Sequence, residues 1–352
     1  MSLVELKAKL QDGEALLIIS EANRRYLTDF SSSDGYLIVT KEKTVFLTDS
    51  RYIEEAEKSA ENCDEILLLK KASEQLPELA EKLGVSALYT EAENLSVSDF
   101  KRLRKMFDVP VEAEKTDDIL RAMRREKRAY EKDRIVDAQR IAERAFLNVL
   151  SFIKPGVTEN EIRLNLEFFM LSNGAQALSF DTIAISGKNT SKPHGVPTDK
   201  KVENGDFITM DYGAVVDGYH SDMTRTVAVG QVSGEQAKIY DIVLNAQLNA
   251  INACKPGVKC SDMDKAARDT ISQAGYGQYF GHGTGHGVGI DIHEAPSVSP
   301  LSAEILQPGD VVTAEPGIYI PEKFGVRIED MLYVTADGNE NLTNAEKKLI
   351  IL

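Results

Sequence analysis

Acidic residues at matching positions of an internal repeat are the strongest chemical signal in this 352-residue sequence. The segments NGDFITMDYG and PGDVVTAEPG share the pattern G-D-x-x-T-x-acid-x-G, which places Asp211 and Glu315 at equivalent points. A second carboxylate follows in each copy, Asp222 in the first and Glu329 in the second. Four carboxylates gathered in a buried centre would repel one another, and their pKa values would rise. Divalent metal is the usual resolution, and four acids suit two ions that share bridging ligands.

The histidines are concentrated beside these acids. His286 lies in the glycine-rich segment GHGTGHGVGIDIHEAP and has no counterpart in the other copy, so we predict it to be the single imidazole ligand. This segment is not a nucleotide loop, because no register satisfies G-x-G-x-x-G. His194 and His293 correspond through H-x-x-P, and we expect them to face the metals from opposite sides as proton shuttles or hydrogen-bond donors. We interpret His220, which precedes Ser221 and Asp222, as a structural side chain.

The elements that position these residues also repeat. KPGV occurs at 154–157 and again at 255–258, each time between two segments of helical character. Thr158 and Ser261 are predicted N-caps of the second helix in each copy. The first acid of each copy lies in a β-like run and the second acid begins the next run, so antiparallel pairing would bring the two side chains together. The pattern predicts two similar α+β halves, each with helices followed by a strand hairpin.

The N-terminal third has a different organisation. Residues 1 to about 120 alternate β-rich runs such as LLIIS, YLIVT and TVFLTD with charged helical segments, which predicts an α/β domain with a mostly parallel or mixed sheet. This region contains no histidine, and we assign it no chemistry. From residue 117 to about 151 the apolar residues have helical spacing. We therefore place the domain boundary near residue 118, which gives domains 1–118 and 119–352.

Composition excludes several classes of protein. Lysine and arginine total 41 against 56 aspartate and glutamate, for a net charge of −15. Nucleic acid and anionic membranes are therefore not expected as partners, because both require a basic face. The three cysteines, Cys63, Cys254 and Cys260, form no C-x-x-C pair and indicate neither a disulfide framework nor a thiolate zinc site. We find no signal peptide and no apolar run long enough to span a bilayer, so we expect a cytoplasmic protein.

The ordered set of acids and histidine resembles the ligand set of the dinuclear metallopeptidases of the pita-bread fold. This group includes methionine aminopeptidase, aminopeptidase P and prolidase, the Xaa-Pro dipeptidase. Creatinase shares the fold but works without metal and lacks the ligands, so the intact set argues against it. The residues that carry the resemblance are Asp211, Asp222, His286, Glu315 and Glu329.

The surrounding motifs resemble the Xaa-Pro branch of this group over residues 120–352. They read PHGVPTD, MDYGAVVDGYHSDMTRT, GHGTGHGVGIDIHEAP, TAEPGIY and GVRIEDM. RRYLTDF at 24–30 and TDSRY at 48–52 resemble the creatinase-like N-domain of prolidases and aminopeptidases P. The resemblance implies a creatinase-like N-terminal α/β domain followed by a pseudo-symmetric pita-bread catalytic domain.

The resemblance also implies roles for the ligands. Asp211 would bind one metal, Asp222 and Glu329 would bridge both, and His286 and Glu315 would bind the other. Four carboxylates and one imidazole favour fairly hard ions, manganese first, with cobalt or zinc able to substitute. The implied activity is hydrolysis of an Xaa-Pro bond, in dipeptides or at the N-terminus of peptides, by a hydroxide that bridges the two metals.

Four further residues complete the implied catalytic site. His194 and His293 would orient the substrate and help to protonate the leaving proline nitrogen, while His282 and Arg327 would line the pocket. The substrates are proline-containing small peptides, whose free N-terminus suits an anionic site. The family commonly forms dimers, so a homodimer is expected.

One departure leaves the specificity open. Many prolidases carry an arginine shortly after the His-Glu pair, where it grips the C-terminal carboxylate of a dipeptide, but here Ser297 stands at that place. Dipeptidase and aminopeptidase P therefore both remain, and we favour an aminopeptidase that accepts longer peptides. The alternatives are a methionine or broad-specificity aminopeptidase on the same metal centre and a non-catalytic peptide-binding protein of the same fold.

Overall fold

The computed structural model describes residues 3–113 and 115–352. The chain divides into two compact units, Met1–Arg124 and Arg125–Leu352. The predicted boundary near residue 118 falls inside the helix Lys115–Arg125, and the exact domain limits stay a prediction. The helical segment expected over 117–151 is divided between two helices, Lys115–Arg125 and Ala129–Phe152. The second helix begins where the side chain of Glu131 accepts the backbone N–H of Arg128.

The first unit is built on one six-stranded mixed sheet. Its order is β4-β3-β2-β1-β5-β6, in which β1, β2 and β3 pair antiparallel and the remaining neighbours pair parallel. The predicted α/β domain with a mixed sheet is therefore confirmed. The strands are β1 (Glu14–Ile18), β2 (Tyr36–Thr40), β3 (Thr44–Thr48), β4 (Glu65–Leu68), β5 (Ala87–Thr90) and β6 (Val111–Ala113).

The helices of the first unit alternate with these strands. Burial of the central strands is nearly complete, as their continuous apolar runs predict. Leu17, Ile38 and Leu47 from these strands pack with Leu76 and Leu79 of the fourth helix in one core. The helices are α1 (Leu3–Lys9), α2 (Glu21–Thr28), α3 (Ile53–Ser59), α4 (Ala72–Lys82), α5 (Val97–Met106) and α6 (Lys115–Arg125).

The second unit consists of the two halves that the repeat predicts. In the first half, two helices precede six strands, and the outer strands β9 and β12 pair antiparallel around a short β10–β11 hairpin. Its elements are α7 (Ala129–Phe152), α8 (Glu159–Ser172), β7 (Ala177–Leu178), β8 (Ile183–Ser186), β9 (Phe207–Tyr212), β10 (Ala214–Val216), β11 (Tyr219–His220) and β12 (Met223–Ala228).

The second half has the same plan. Strands β15 and β18 pair antiparallel around the β16–β17 hairpin, as β9 and β12 do around theirs. Its elements are α9 (Gly234–Ala253), α10 (Cys260–Gln273), β13 (Gly285–Gly287), β14 (Glu294–Val298), β15 (Val311–Ala314), β16 (Gly317–Ile320), β17 (Phe324–Arg327), β18 (Asp330–Val334) and β19 (Asn339–Asn341).

The repeated KPGV segment is the turn between the two helices of each half. Gly156 and Gly257 have φ of 93° and 83°, a backbone conformation that only glycine adopts without strain. Thr158 caps the following helix as predicted, since its side chain accepts the backbone N–H of Glu161. The prediction for Ser261 is wrong, because helix α10 begins at Cys260 and Ser261 lies in its first turn.

Each half has its own hydrophobic core between the helix pair and the paired strands. In the first half, Phe146 and Ile162 of the helices pack with Met210 of β9, and in the second Val243 and Met263 belong to the equivalent core. The acid-bearing strands are therefore anchored by buried side chains on their helix-facing side. Within the described part of the chain, none of the helices has both the length and the apolar character that a membrane span requires.

Candidate metal centre

The four predicted acids lie at equivalent ends of the paired strands. Asp211 is near the end of β9, and Asp222 directly precedes β12. Glu315 directly follows β15, and Glu329 directly precedes β18. The antiparallel registers pair Tyr212 with Met223 in one half and Ala314 with Asp330 in the other. They bring the two acids of each half to the same end of their strand pair.

Three of these carboxylates each have one buried oxygen that nothing in the described protein satisfies. Oδ1 of Asp211, Oδ1 of Asp222 and Oε1 of Glu329 are buried without a hydrogen-bond partner among the described residues. A buried carboxylate oxygen without a donor or cation is costly and therefore rare. Hard-ligand oxygens in this state fit a divalent cation.

His286 brings the imidazole to the same point. Ligand atoms of Asp222, His286 and Glu329 lie within 4.8 Å of one another, and Nε2 of His286 is 3.4 Å from Oε1 of Glu315. Nδ1 of His286 is 3.0 Å from the carbonyl oxygen of Gly287. A carbonyl only accepts, so Nδ1 carries the proton and Nε2 keeps its lone pair for a metal.

The raised pKa values of the acids show that their ionised forms are unfavourable in this buried cluster. Burial, followed by the charge of Glu329, raises the pKa of Asp222 well above its ordinary value. Burial and the neighbouring charges of Glu315 and Asp211 do the same to the pKa of Glu329. Burial raises the pKa of Glu315 to about 7. Without cations the native state therefore opposes ionisation of these acids, as the sequence predicts.

Arg327 holds the remaining acid. Its Nη2 donates to Oδ2 of Asp211 at 2.6 Å, and its Nη1 donates to the hydroxyl of Tyr319 at 2.9 Å. Burial raises the pKa of Tyr319 to about 12, so the hydroxyl stays protonated and donates in turn to Nε2 of His282 at 2.9 Å. Nδ1 of His282 donates to the carbonyl of Gly283. Burial, with the charge of Arg327, lowers the pKa of His282 to about 4, so this imidazole is neutral at pH 7.

Two threonines that sequence reasoning missed complete the hydrogen bonding. The hydroxyl of Thr224 donates to Oε2 of Glu329 at 2.7 Å and accepts Nε of Arg327 at 3.0 Å. The hydroxyl of Thr313 donates to Oε1 of Glu315 at 3.1 Å. Both lie two residues from an acid of the repeat, hence on the same face of the strand, which is the signal that could have identified them.

A single cavity of about 550 Å³ collects all the predicted site residues. Its wall also includes Ser297, the residue at the position of the expected arginine. The nine predicted residues that line it are His194, Asp211, Asp222, His282, His286, His293, Glu315, Arg327 and Glu329.

The three other histidines occupy different positions around this cavity. His194 and His293 are exposed on its wall, and the ring of His293 lies 4.3 Å, centroid to centroid, from the ring of His286. His220 lies in β11 and is not part of the cavity wall. Burial lowers the pKa of His220, in keeping with the structural role expected for it. Whether His194 and His293 act as proton shuttles stays a prediction.

The fold and the donor set together define a protein of two pseudo-symmetric halves whose buried carboxylates and imidazole could hold divalent cations. Residues 133–336 match the metallopeptidase family M24, and residues 5–125 match the creatinase/prolidase N-terminal domain. The chain belongs to metallopeptidase family M24 and is a metal-dependent hydrolase with a creatinase-type N-terminal domain. The predicted two-domain architecture and enzyme class are thus confirmed.

Solved structures and a curated relative agree with this assignment. The chain is 40% identical to an Xaa-Pro dipeptidase from Bacillus anthracis, with a TM-score of 0.95 and coverage of 99% of each chain. It is 35% identical to an X-Pro aminopeptidase from Thermotoga maritima, with a TM-score of 0.92, over 99% of this chain and 100% of that one. A curated Xaa-Pro dipeptidase from Pyrococcus horikoshii is 38% identical over 96% of this chain and 94% of its own.

Proposed function

We propose that this protein hydrolyses the bond between an N-terminal residue and proline, as a dinuclear metallopeptidase. The observation that carries the proposal is the set of three unpartnered, buried carboxylate oxygens beside the lone pair of His286 in the wall of one cavity. The names of the similar proteins, which include both Xaa-Pro dipeptidases and an X-Pro aminopeptidase, support the proline specificity.

The ligand roles in this proposal follow the family resemblance. Asp211 would hold one ion, His286 and Glu315 would hold the other, and Asp222 and Glu329 would be shared by both. Four carboxylates and one imidazole suit Mn²⁺ first, with cobalt or zinc able to replace it. Bound there, the ions would supply Lewis acidity and lower the pKa of a water molecule.

The protein side chains orient these ligands. Arg327 donates to Oδ2 of Asp211, and Thr224 donates to Oε2 of Glu329. Oδ1 of Asp211 and Oε1 of Glu329 have no hydrogen-bond partner among the described residues, so these oxygens would be available to a cation. Tyr319 and neutral His282 extend this chain from Arg327, so both nitrogens of His282 are engaged within the protein. We therefore assign His282 and Arg327 to positioning the metal ligands and shaping the pocket.

His194 and His293 are the residues available for proton transfer. Both are exposed to the cavity, and the ring of His293 is adjacent to a metal ligand. Cleavage of an Xaa-Pro bond releases a secondary amine, which must gain a proton as the bond breaks. An imidazole on the cavity wall can hold the substrate carbonyl by a hydrogen bond or deliver that proton to the proline nitrogen. A proline residue within a peptide has no backbone N–H and a fixed φ, so the site must recognise the proline ring by its shape.

The environment of Ser297 favours peptides longer than a dipeptide. Its backbone N–H donates to Oε2 of Glu304, and its hydroxyl lies 3.3 Å from that of Ser299. Ser299 also lines the cavity, so two small neutral side chains occupy this part of the wall. Because no lysine or arginine among the described residues lines this part of the wall to select a carboxylate directly after proline, we propose aminopeptidase P-like activity with dipeptides as poorer substrates.

A substrate panel with added Mn²⁺ tests the proposal. The expected order of kcat/KM is Xaa-Pro-Yaa above Xaa-Pro, with Met-Ala peptides far below both. Preference for the dipeptide would reverse the length assignment, preference for Met-Ala would make the protein a broad aminopeptidase, and no cleavage of proline substrates would refute the proposed function. Light scattering tests the homodimer, which we propose on family resemblance alone.

A further inference from the structure

A second cavity of about 440 Å³ adjoins the metal site within the second unit. Asp181, Ile183 and His194 line both cavities, so the two share part of their wall, and we refer to them together as the cleft. The far part of the second cavity is lined by residues of helix α8, among them Asn160 and Arg163. Nothing in the metal chemistry uses this part of the cleft.

Among the described residues that line this second cavity, Arg163 is the one arginine or lysine, as Arg327 is in the wall of the first. Its side chain is about one third exposed, at 32%, and its Nη1 donates to Oε2 of Glu167 at 2.8 Å. Among the described residues, the structure records no hydrogen-bond acceptor for Nε or Nη2 of Arg163. A planar guanidinium with two unused donors is suited to a carboxylate.

We propose that the second cavity receives the residues that follow proline in a peptide longer than two residues, and that Arg163 pairs with the terminal carboxylate of that peptide. This inference rests on the proposed function and specifies its substrate class. The cleft passes His194, the predicted proton donor to the proline nitrogen, before it reaches Arg163. A chain whose scissile bond lies at the metals would therefore extend its C-terminal part past His194 towards helix α8.

Two observations favour this direction. The described wall of the metal-site cavity carries the neutral Ser297 and Ser299, and its arginine, Arg327, is bonded to Asp211, so this wall offers the terminal carboxylate no uncommitted cation. Arg163 supplies that cation further along the same cleft. Glu167 is the competing anion, because its bond to Arg163 must be shared with or replaced by the substrate carboxylate. The pair is an i, i+4 ion pair that is worth little by itself on a helix surface.

The test compares peptides that end in a free acid or an amide. Wild-type enzyme with Mn²⁺ is assayed on Xaa-Pro-Yaa and Xaa-Pro-Yaa-Zaa in both forms, and the acid-to-amide ratio of kcat/KM is measured for each length. We expect Arg163→Gln to lower this ratio roughly five- to tenfold at one or both lengths, through KM, because charge-assisted hydrogen bonds contribute to binding remote from the reacting bond. Glu167→Gln removes the competing anion and should raise the ratio. Arg163→Lys should fall between wild type and Arg163→Gln.

Arg144→Gln is the matched control, because Arg144 is an exposed arginine on helix α7 that lines neither cavity. Its acid-to-amide ratio should equal that of wild type. An unchanged ratio in Arg163→Gln at both lengths, or a fall of the ratio in Glu167→Gln, overturns the inference. Failure of the wild type to cleave any proline peptide refutes the proposed function instead, so the two failures are distinguishable.

Discussion

Replacing Glu315 with glutamine should stabilise the metal-free protein while it weakens metal binding. Burial raises the pKa of Glu315 from 4.5 to about 7, so the native state holds the proton more tightly than the unfolded chain does. The resulting cost to folding is absent below pH 4.5, grows as the pH rises to about 7 and is complete above it. Glutamine is nearly isosteric and cannot ionise, and its carbonyl can still accept the hydroxyl of Thr313.

The magnitude follows from the pKa. At pH 8 the ionised carboxyl costs the metal-free native state about 3 kcal/mol, and at pH 5 below about 1 kcal/mol. Because the amide must repack in the site, part of this gain is lost. We expect Glu315→Gln to raise the free energy of unfolding of the metal-free protein by about 1 to 3 kcal/mol at pH 8. For a unit of this size, that raises the midpoint of thermal unfolding by roughly 3 to 10 °C.

Thermal unfolding in EDTA at pH 5 and pH 8, followed by a Mn²⁺ titration, measures the effect. The variant should exceed wild type in EDTA at pH 8, and the difference should shrink at pH 5. Added Mn²⁺ should narrow or reverse this difference, because wild type gains about 2.7 kcal/mol at a hundred times its Kd and the variant gains less. A variant that is less stable than wild type in EDTA at pH 8 would show that burial of the ionised Glu315 does not destabilise the native state. A variant that keeps the full Mn²⁺ response would show that Glu315 is not a ligand.

Four further substitutions test the other parts of the site. Asp222→Ala and Glu329→Ala should each abolish hydrolysis and lower the bound metal measured by elemental analysis; full metal occupancy in both would refute their bridging role. Thr224→Val removes the donor to Glu329 and should weaken Mn²⁺ binding about tenfold in calorimetry, with a loss of about 1 to 3 kcal/mol in folding stability. An unaltered Kd would remove Thr224 from the ligand-orienting network. His293→Ala should lower kcat by roughly 10² to 10⁴ while the metal content is retained; loss of metal would mean that His293 supports His286 instead of the proton transfer.

Much of the architecture could be predicted from local sequence patterns. The alternation of β-rich and helical segments in the first 120 residues identifies the mixed α/β unit, because side-chain periodicity reports burial of each element. The repeat of KPGV and of the acid-bearing strands identifies the two halves, since equivalent turns require equivalent glycines such as Gly156 and Gly257. Local patterns failed at element ends. Helix α10 begins at Cys260 without a side-chain cap, and the start of α7 is marked by the bond from the backbone N–H of Arg128 to Glu131.

The sequence by itself predicted the acids of the centre, because the repeat places them at equivalent points of strands that must pair, and it predicted His286 as the imidazole ligand because that histidine has no counterpart in the other copy. Only the tertiary structure decided how each ligand is held. Arg327 reaches Asp211 across 116 residues of chain, and Thr224 reaches Glu329 across 105. The bond between the Tyr319 hydroxyl and Nε2 of His282, and the position of Arg163 in the same cavity wall as His194, likewise depend on contacts between distant segments. Side-chain periodicity reports which face of a strand is buried, but the partner of a buried polar atom is set only when two distant segments pack together.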